Sequence, residues 1–354
     1  MERGFWHNKR VMVTGHTGFK GGWLSLWLYK LGANVHGYSL EPNVDCEFYN
    51  RVYSGGFIGT EQFSDIRDII SISQCVDRYQ PEVIFHLAAQ PLVRHSYAYP
   101  FETYAVNIMG VVNLLEAVRQ SSYTPTIINV TTDKVYENKE WIWAYRENES
   151  LGGADPYSAS KACSEILTNS YMQSFFKGSG TKVATARAGN VIGGGDMSQD
   201  RLIPDFLRAF ERDEPVVLRN PNATRPWQHV LEPVSGYLRL AEMLSSEPGL
   251  DYATSWNFGP IDDPLPVGRV VDMLSNISGG KKYLLDENLN PHEAQSLMLD
   301  SAKARRSLNW RPKLDLNQAL TMTFDWYQSA MSENDMMSFT SNQILNYINH
   351  DKID

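Results

Sequence analysis

The sequence contains no apolar run of the ~18 residues that a membrane-spanning helix requires. The nearest candidate, Trp23 to Leu31, is short and interrupted by Tyr29 and Lys30. The first residues, Met1-Glu2-Arg3-Gly4-Phe5-Trp6, carry no apolar signal-peptide core. Together these absences predict a cytoplasmic protein without a membrane partner. Cysteine is scarce: Cys46, Cys75 and Cys163 are an odd number with no metal-like spacing, and they read as buried, reduced thiols. The eight histidines form no HExxH or HxxxH pair, so no metal site is expected. Positive charge is also short. A nucleic-acid binder usually advertises a basic surface, whereas this chain has a net charge of −9; no nucleic-acid partner is expected. An anionic small molecule stays compatible, because a few arginines in one cleft can outweigh a weakly acidic exterior locally.

With 354 residues, the chain is long for one core and suits a large domain with a smaller partner. Arg10 to Thr14 reads as a short buried strand, Gly15 to Gly22 as a glycine-rich turn, and Trp23 to Leu31 as a helix with Leu24, Trp27, Leu28 and Leu31 at helical spacing. Asn34 to Ser39 reads as a second strand. Glu82 to Ala88 and Thr126 to Thr132 are continuous apolar or β-branched runs, as expected of strands covered on both faces. Between them, Val106, Met109, Val112, Leu115 and Val118 give Thr103 to Arg119 helical periodicity; Pro156 to Phe176 reads as a further helix and Thr181 to Ala186 as a further strand. Such alternation predicts an α/β fold: a Rossmann-type doubly wound parallel sheet, with a smaller mixed α/β C-terminal substrate domain. The expected cofactor domain is 1–187 with a return segment near 226–258. The expected substrate domain, rich in proline and arginine, is 188–225 and 259–354. The tail from Met331 is polar and reads as either a docked helix or a frayed end.

Gly15-His16-Thr17-Gly18-Phe19-Lys20-Gly21 is a GxxGxxG loop between a strand and a helix. Gly15 allows the tight turn, Gly18 a close approach of a pyrophosphate, and Gly21 close packing of helix on strand, with the helix N-terminus facing the phosphates. The loop predicts a dinucleotide. An acid at the end of the second strand would hold the ribose 2′-hydroxyl of NAD. Ser39 stands there, the nearest acid is Glu41, and no arginine favours a 2′-phosphate; NAD is the expectation. Asp65 and Ile66 would either contact the adenine or, equally, cap a helix from Arg67.

Tyr157 and Lys161 lie four apart in YSASK, one turn apart on one helix face. A cation beside the phenol lowers its pKa and makes Tyr157 an acid–base for a substrate hydroxyl. Thr131, Thr132 and Asp133 close the TIINVTT strand, at the edge where such sheets bind ligands. Lys134 follows directly. Arg201, Arg219 and Arg225 form a group suited to phosphate oxygens. Arg187 and Asn190, after the next strand, would reach the sugar or its phosphates, and His292 lies in a loop able to close over a nucleotide. Trp227, Trp256 and Trp310 read as core, and Asn107 as a structural hydrogen-bonding residue.

The segments TGHTGFKG, HLAAQPLVRHSY, TTDKVYEN, YSASK, ARAGNVIGGGD and RPWQHVLEP together resemble the CDP-D-glucose 4,6-dehydratases, a nucleotide-sugar branch of the extended short-chain dehydrogenases. The resemblance spans Phe5-Trp6 to Leu308-Asn309-Trp310. Nucleotide-sugar 4-epimerases usually have small residues where Asp133 and Lys134 stand, and dTDP-glucose dehydratases typically have Asp-Glu. The missing acid at Ser39 departs from many NAD-binding relatives. The resemblance implies NAD as cofactor, with Leu87, Ala88 and Ala89 joining the loop in binding it, and CDP-glucose as substrate, with Gln90 and Arg94 among its contacts. It also implies a redox-neutral dehydration. Tyr157, aided by Thr132 and Lys161, would take the 4-hydroxyl proton, a neutral Lys134 the C5 proton, and a protonated Asp133 would release the 6-hydroxyl as water. Finally it implies a homo-oligomer, dimer or tetramer, paired through Thr103 to Arg119 and Pro156 to Phe176. The rivals are a nucleotide-sugar epimerase and a sensor that kept the fold without catalysis.

Overall fold

A computed structural model describes residues 3–53, 56–247, 249–260, 262–280, 283–286, 296–332 and 334–350. Seven strands, β1 (Arg10–Thr14), β2 (Asn34–Ser39), β3 (Thr60–Phe63), β4 (Val83–His86), β5 (Thr126–Val130), β6 (Lys182–Ala188) and β7 (Ser255–Phe258), form one sheet in the order 7-6-5-4-1-2-3. Every pairing is parallel. Residues of β4 and β5 are all buried, which is why their sequences are uninterrupted β-branched and apolar runs rather than alternating ones. The order reverses between β1 and β4. Their ends are clipped together there, because the Thr14 hydroxyl meets His86 Nδ1 at 2.8 Å and accepts from the Leu87 and Ala88 amides at 3.1 and 3.2 Å.

Helices α1 (Phe19–Lys30), α2 (Ile69–Tyr79), α3 (Gly110–Gln120), α4 (Pro156–Tyr171), α5 (Leu202–Glu211), α6 (Leu231–Ser245), α7 (Val267–Ser278), α8 (Leu316–Met331) and α9 (Met336–Asn349) cover and extend the sheet. Helix α1 is buried continuously from Gly21 to Leu28, as an all-round apolar helix must be. Gly194 lies against it and against Trp326: the Trp23 indole donates to its carbonyl at 2.9 Å, and a Cβ there would stand 1.9 Å from the Trp326 ring. Among the described residues, three two-stranded pairs lie outside the large sheet: Asn190–Ile192 with Trp227–His229, Thr224–Arg225 with Leu265–Pro266, and Val217–Leu218 with Leu284–Leu285. One apolar cluster runs from Val11 and Trp23 through Val234 to Val270 and Trp326. No described helix is long and apolar enough to cross a membrane. Cys75 is buried while Cys46 and Cys163 are half-buried, and all three are free thiols.

Several expectations shift in detail. The segment Thr103 to Arg119 is not one regular helix: a π turn at Ala105–Met109 precedes α3. The turn rotates the apolar face, so Val111, Leu114, Leu115 and Val118 are buried while Met109 is 49% exposed. The cap of α2 is Asp68, which accepts from Ile70 and Ser71 amides at 3.0 Å. Asp65 instead accepts from the Arg67 amide at 2.8 Å and pairs with its guanidinium. Trp256 and Trp310 are core, and Trp227, also buried, has one edge on the cavity described below.

The tail is a docked helix. Met336, Ile344 and Tyr347 of α9 are buried, and the Tyr347 hydroxyl donates to Glu232 at 2.5 Å. Glu232, almost fully buried, also accepts from the Lys313 and Leu314 amides at 2.9 and 2.8 Å. Burial pushes its carboxyl up to about 7, against the pull of those three donors. A raised carboxyl contributes stability that is complete below its unfolded value and lost as pH rises through the folded one. Unfolding free energy should therefore fall by on the order of 3 kcal/mol between about pH 4.5 and pH 7 through this group. Denaturant melts of Glu232→Gln should lack that slope; an unchanged slope would assign it elsewhere.

Candidate active site

The carboxyl ends of β5 and β6 face a cavity of about 820 Å³ whose wall includes Lys20, Thr132, Lys134, Tyr157, Asn190 and Arg201. Tyr157 lines it from the first turn of α4, and Lys161, one turn on, is buried and outside the lining; Pro156 stands at the N-terminus of the helix and Asp155 caps it by accepting from the Ser158 amide at 2.9 Å. The helix is clamped laterally. Asn107, buried within the π turn, donates to Ser160 Oγ at 2.9 Å and to the Gln90 carbonyl at 3.0 Å, while accepting from the Gln90 amide at 2.8 Å. Thr132 closes β5 and starts the tight turn Asp133–Val135, its hydroxyl donating to Asp133 Oδ1 at 2.9 Å. Lys134 Nζ lies 3.3 Å from the same oxygen. Asp133 is fully buried just behind the wall, and its other oxygen, Oδ2, has no hydrogen-bond partner among the described residues. A buried polar atom left unpaired is costly, so Oδ2 calls for a water or a ligand group beside it.

The ionisation of the pair differs from the sequence expectation. Burial pushes the Tyr157 phenol up to about 12, opposed by a hydrogen bond with Thr132 and the charge of Arg201. Lys161 does not lower it here, since its amine donates to the Val130 carbonyl at 3.3 Å. Burial pushes Lys161 down to about 8, with Glu165 opposing.

The glycine loop is built as a bare cradle. Gly15 has φ +74°, and a Cβ there would lie 2.8 Å from the Ala88 nitrogen. A Cβ on Gly21 would lie 2.1 Å from the Gly15 carbonyl oxygen, so glycine alone lets α1 start that close to β1. No side chain caps α1 at Gly18. Its first N–H groups and positive dipole end are thus left for a phosphate. Half-buried Phe19 borders Gly193, and half-buried Leu87, Ala88 and Ala89 follow β4 opposite the loop. His16 points inward: Nε2 meets Glu61 Oε1 at 2.8 Å, and Glu61 also accepts from the Tyr49 and Tyr53 hydroxyls. Burial lowers the His16 pKa. At the end of β2, Thr17 Oγ1 and Ser39 Oγ meet at 2.8 Å, where an acid was sought. Ile66 is buried against Gly110.

Of the proposed substrate contacts, Arg94, Asn190, Arg201, Arg219 and Arg225 line the cavity. Three of these arginines already meet carboxylates that sequence reasoning missed: Arg201 pairs with Asp196 at 3.1 Å, and Arg94 and Arg219 with Asp200 at 2.9 and 3.3 Å. Gln90 and Arg187 do not take the places expected of them. Gln90 turns its amide to Leu92 and Thr103 and is no part of the wall. Arg187 is 2% exposed, paired with Glu165 at 2.9 Å and bonded to the Tyr136 hydroxyl at 2.8 Å, so its guanidinium is turned into the protein and not toward a phosphate. His292 lies outside the described residues.

Glu165 is held by Thr131, Thr185, Arg187 and Ser255. It ties the middle of β6, the start of β7 and the residue following β5 to α4. Glu165→Leu should cost about 3–5 kcal/mol in unfolding free energy by stranding a buried guanidinium. Glu165→Leu/Arg187→Met should recover most of that loss in the same melts.

A family model described as GDP-mannose 4,6 dehydratase matches residues 12–323. The chain belongs to that family. Within this dehydratase family, it is 45% identical to the CDP-glucose 4,6-dehydratase of Salmonella typhimurium, over 98% of both chains. It is 24% identical to a probable dTDP-glucose 4,6-dehydratase of Sinorhizobium fredii, over 90% of this chain and 92% of that one. The fold is that of a Stenotrophomonas maltophila UDP-glucose 4-epimerase solved with NAD and formylated UDP-arabinopyranose: TM-score 0.80, 21% identity, 92% of this chain and 99% of that one.

Proposed function

We propose that this protein is an NAD-dependent CDP-glucose 4,6-dehydratase, a hydro-lyase yielding CDP-4-dehydro-6-deoxy-D-glucose and water. The observation carrying the reading is the Thr132-Asp133-Lys134 turn: a buried carboxyl with one unpaired oxygen and an amine 3.3 Å from the other, beside Tyr157. An epimerase has no use for an acid and a base beyond the tyrosine, and a sensor has no use for any of the three. The full-length likeness to the Salmonella enzyme supports CDP-glucose as substrate.

The residues fit the cofactor. The uncapped start of α1 and the Gly15–Gly21 cradle suit its pyrophosphate, and Lys161 its nicotinamide ribose. Bound NAD would supply reversible two-electron oxidation, taking hydride from sugar C4 and giving it back at C6. Tyr157, hydrogen-bonded to Thr132, takes the proton of the 4-hydroxyl. A 4-ketone acidifies the C5 hydrogen, because the carbanion delocalises into the carbonyl, and Lys134 removes that proton. Asp133 donates a proton to the departing 6-hydroxyl. Arg94, Arg201, Arg219 and Arg225 receive the diphosphate, with Asp196 and Asp200 holding the forks of the first three in place.

Residues 188–225 and 259–354 form the nucleotide-sugar-binding part and 1–187 with 226–258 the cofactor-binding part, in a cytoplasmic enzyme. Exposed Phe101, Met109, Ile166 and Phe175 on the helical segments around α3 and α4 support pairing of two copies across a two-fold axis.

Mass spectrometry of CDP-glucose incubated with protein and NAD in heavy water tests the reaction. Loss of one water with one deuterium gained is the expected result. An unchanged mass would overturn dehydration and leave epimerisation or binding, which sugar NMR separates. Dehydration of dTDP- or GDP-sugars alone would keep the chemistry and overturn the nucleotide.

A further inference from the structure

The loop from Gly193 to Arg201 leads into α5 and carries Asp196, Asp200 and Arg201 of the cavity wall. Three glycines open it, so its backbone has little stiffness of its own. It is pinned from outside instead. The Trp23 indole donates to the Gly194 carbonyl at 2.9 Å, and the Arg208 guanidinium donates to the Met197 and Ser198 carbonyls at 3.1 and 3.3 Å. Asp196 lies between these points, and its carbonyl accepts from the hydroxyl of Tyr327, 131 residues later on α8. Trp326, the residue before, packs against Gly194 and donates its indole N–H to Thr340 of α9 at 2.9 Å. Asp196 and Tyr327 are both 5% exposed. Burial pushes the Tyr327 phenol well above its ordinary value, so the hydroxyl keeps its proton and remains a donor.

The side chain of the same Asp196 belongs to the site. Its Oδ1 accepts from the Ser198 amide at 3.1 Å, and its Oδ2 from Arg201 Nη1 at 3.1 Å. Arg201 stands on the cavity wall with a third of its side chain exposed. Holding a carbonyl fixes the peptide plane, and so the direction in which the Cβ sends the carboxylate. We propose that Tyr327 is a positioning residue for the diphosphate: it holds the Asp196 carbonyl so that the carboxylate presents Arg201 to the phosphate oxygens. The inference rests on the nucleotide-sugar reading given above and deepens it. It gives α8 a part in substrate binding although Tyr327 does not border the cavity. A buried phenol hydroxyl needs a partner, and many carbonyls would serve; here the partner is a residue that grips an arginine of the wall.

The test is the affinity for CDP, measured by calorimetry on full-length protein with NAD present. The proteins compared are the native one, Tyr327→Phe, Asp196→Asn, Arg201→Met and Tyr327→Phe/Arg201→Met. Phenylalanine keeps the buried ring and removes the hydroxyl. Asparagine keeps the carbonyl that Tyr327 holds and removes the charge facing Arg201. Thermal melts confirm that each variant is folded. Tyr327→Phe and Asp196→Asn should each weaken CDP binding by about fivefold to tenfold. In turnover of CDP-glucose, Tyr327→Phe should raise KM more than it lowers kcat. The double variant should bind CDP no more weakly than Arg201→Met, since Tyr327 acts through that guanidinium. Native affinity in Tyr327→Phe would overturn the proposal. So would losses that multiply in the double variant, because Tyr327 would then act by a route other than Arg201. Native affinity in Asp196→Asn would overturn it without any change at Tyr327. Native protein with no affinity for CDP would overturn the nucleotide-sugar reading itself, a result distinct from all of these.

Discussion

Lys134→Ala is expected to oxidise CDP-glucose but not to dehydrate it. Exchange of the C5 hydrogen for deuterium should fall by about 10²–10⁴, the range for loss of a positioned general base. The 4-hydroxyl chemistry belongs to Tyr157 and Thr132, which Lys134 does not support. Its amine touches Asp133 Oδ1 at 3.3 Å, and its backbone amide alone reaches Thr132. The variant should therefore accumulate the 4-keto sugar together with reduced cofactor, visible as near-ultraviolet absorbance that rises on mixing and persists. Lys134 is about a third exposed, so truncation should leave the fold unharmed. Exchange at the native rate in Lys134→Ala would remove Lys134 from the base role. Lys20, the other amine on that wall, would then be the next group to test.

The parts of the site legible in the sequence are those fixed by backbone geometry. Gly15 and Gly21 are required by contacts of 2.8 and 2.1 Å that any Cβ would violate, and such constraints leave a spaced pattern of one residue type. The strands were legible for a related reason, since a sheet covered on both faces demands unbroken apolar runs. Tyr157 and Lys161 were legible because four residues is one helical turn.

The rest depended on partners distant in sequence. Arg187 read as a phosphate ligand because an arginine after a strand end suits that role; its partner Glu165 lies 22 residues earlier, on α4. A carboxylate one turn beyond Lys161 was the available signal. Asp196 and Asp200 were overlooked beside the arginines they hold, although both sit in the loop before α5. The π turn at Ala105–Met109 left no mark, because one extra residue per turn is set by packing of Asn107 on Ser160 and Gln90 rather than by composition. The acid missing at the end of β2 shows the opposite case. Ser39 looked like an absence, and the structure fills that place with a hydroxyl pair, Thr17 to Ser39, visible only once the loop is folded over the strand.

Tyr157→Phe should fail one step earlier than Lys134→Ala, and the contrast separates the two roles. Removing the phenol hydroxyl takes away the group that receives the 4-hydroxyl proton. Sugar oxidation, deuterium uptake and water loss should all fall together, by about 10²–10⁴ in kcat. No reduced cofactor should build up. The ring stays in place, because Tyr157 is 8% exposed and its backbone amide is held by Ser96 at 3.2 Å; substrate affinity should change little. Burial holds the phenol up near 12 in the ligand-free protein, so its basic form is scarce at neutral pH. The native rate should accordingly climb with pH through the neutral range. Arg201 is one of the groups that pulls the phenol down, and Arg201→Met should move that climb to higher pH. A Tyr157→Phe protein that still accumulated reduced cofactor would place the acceptor of the 4-hydroxyl proton elsewhere, with the Thr132 hydroxyl the nearest alternative.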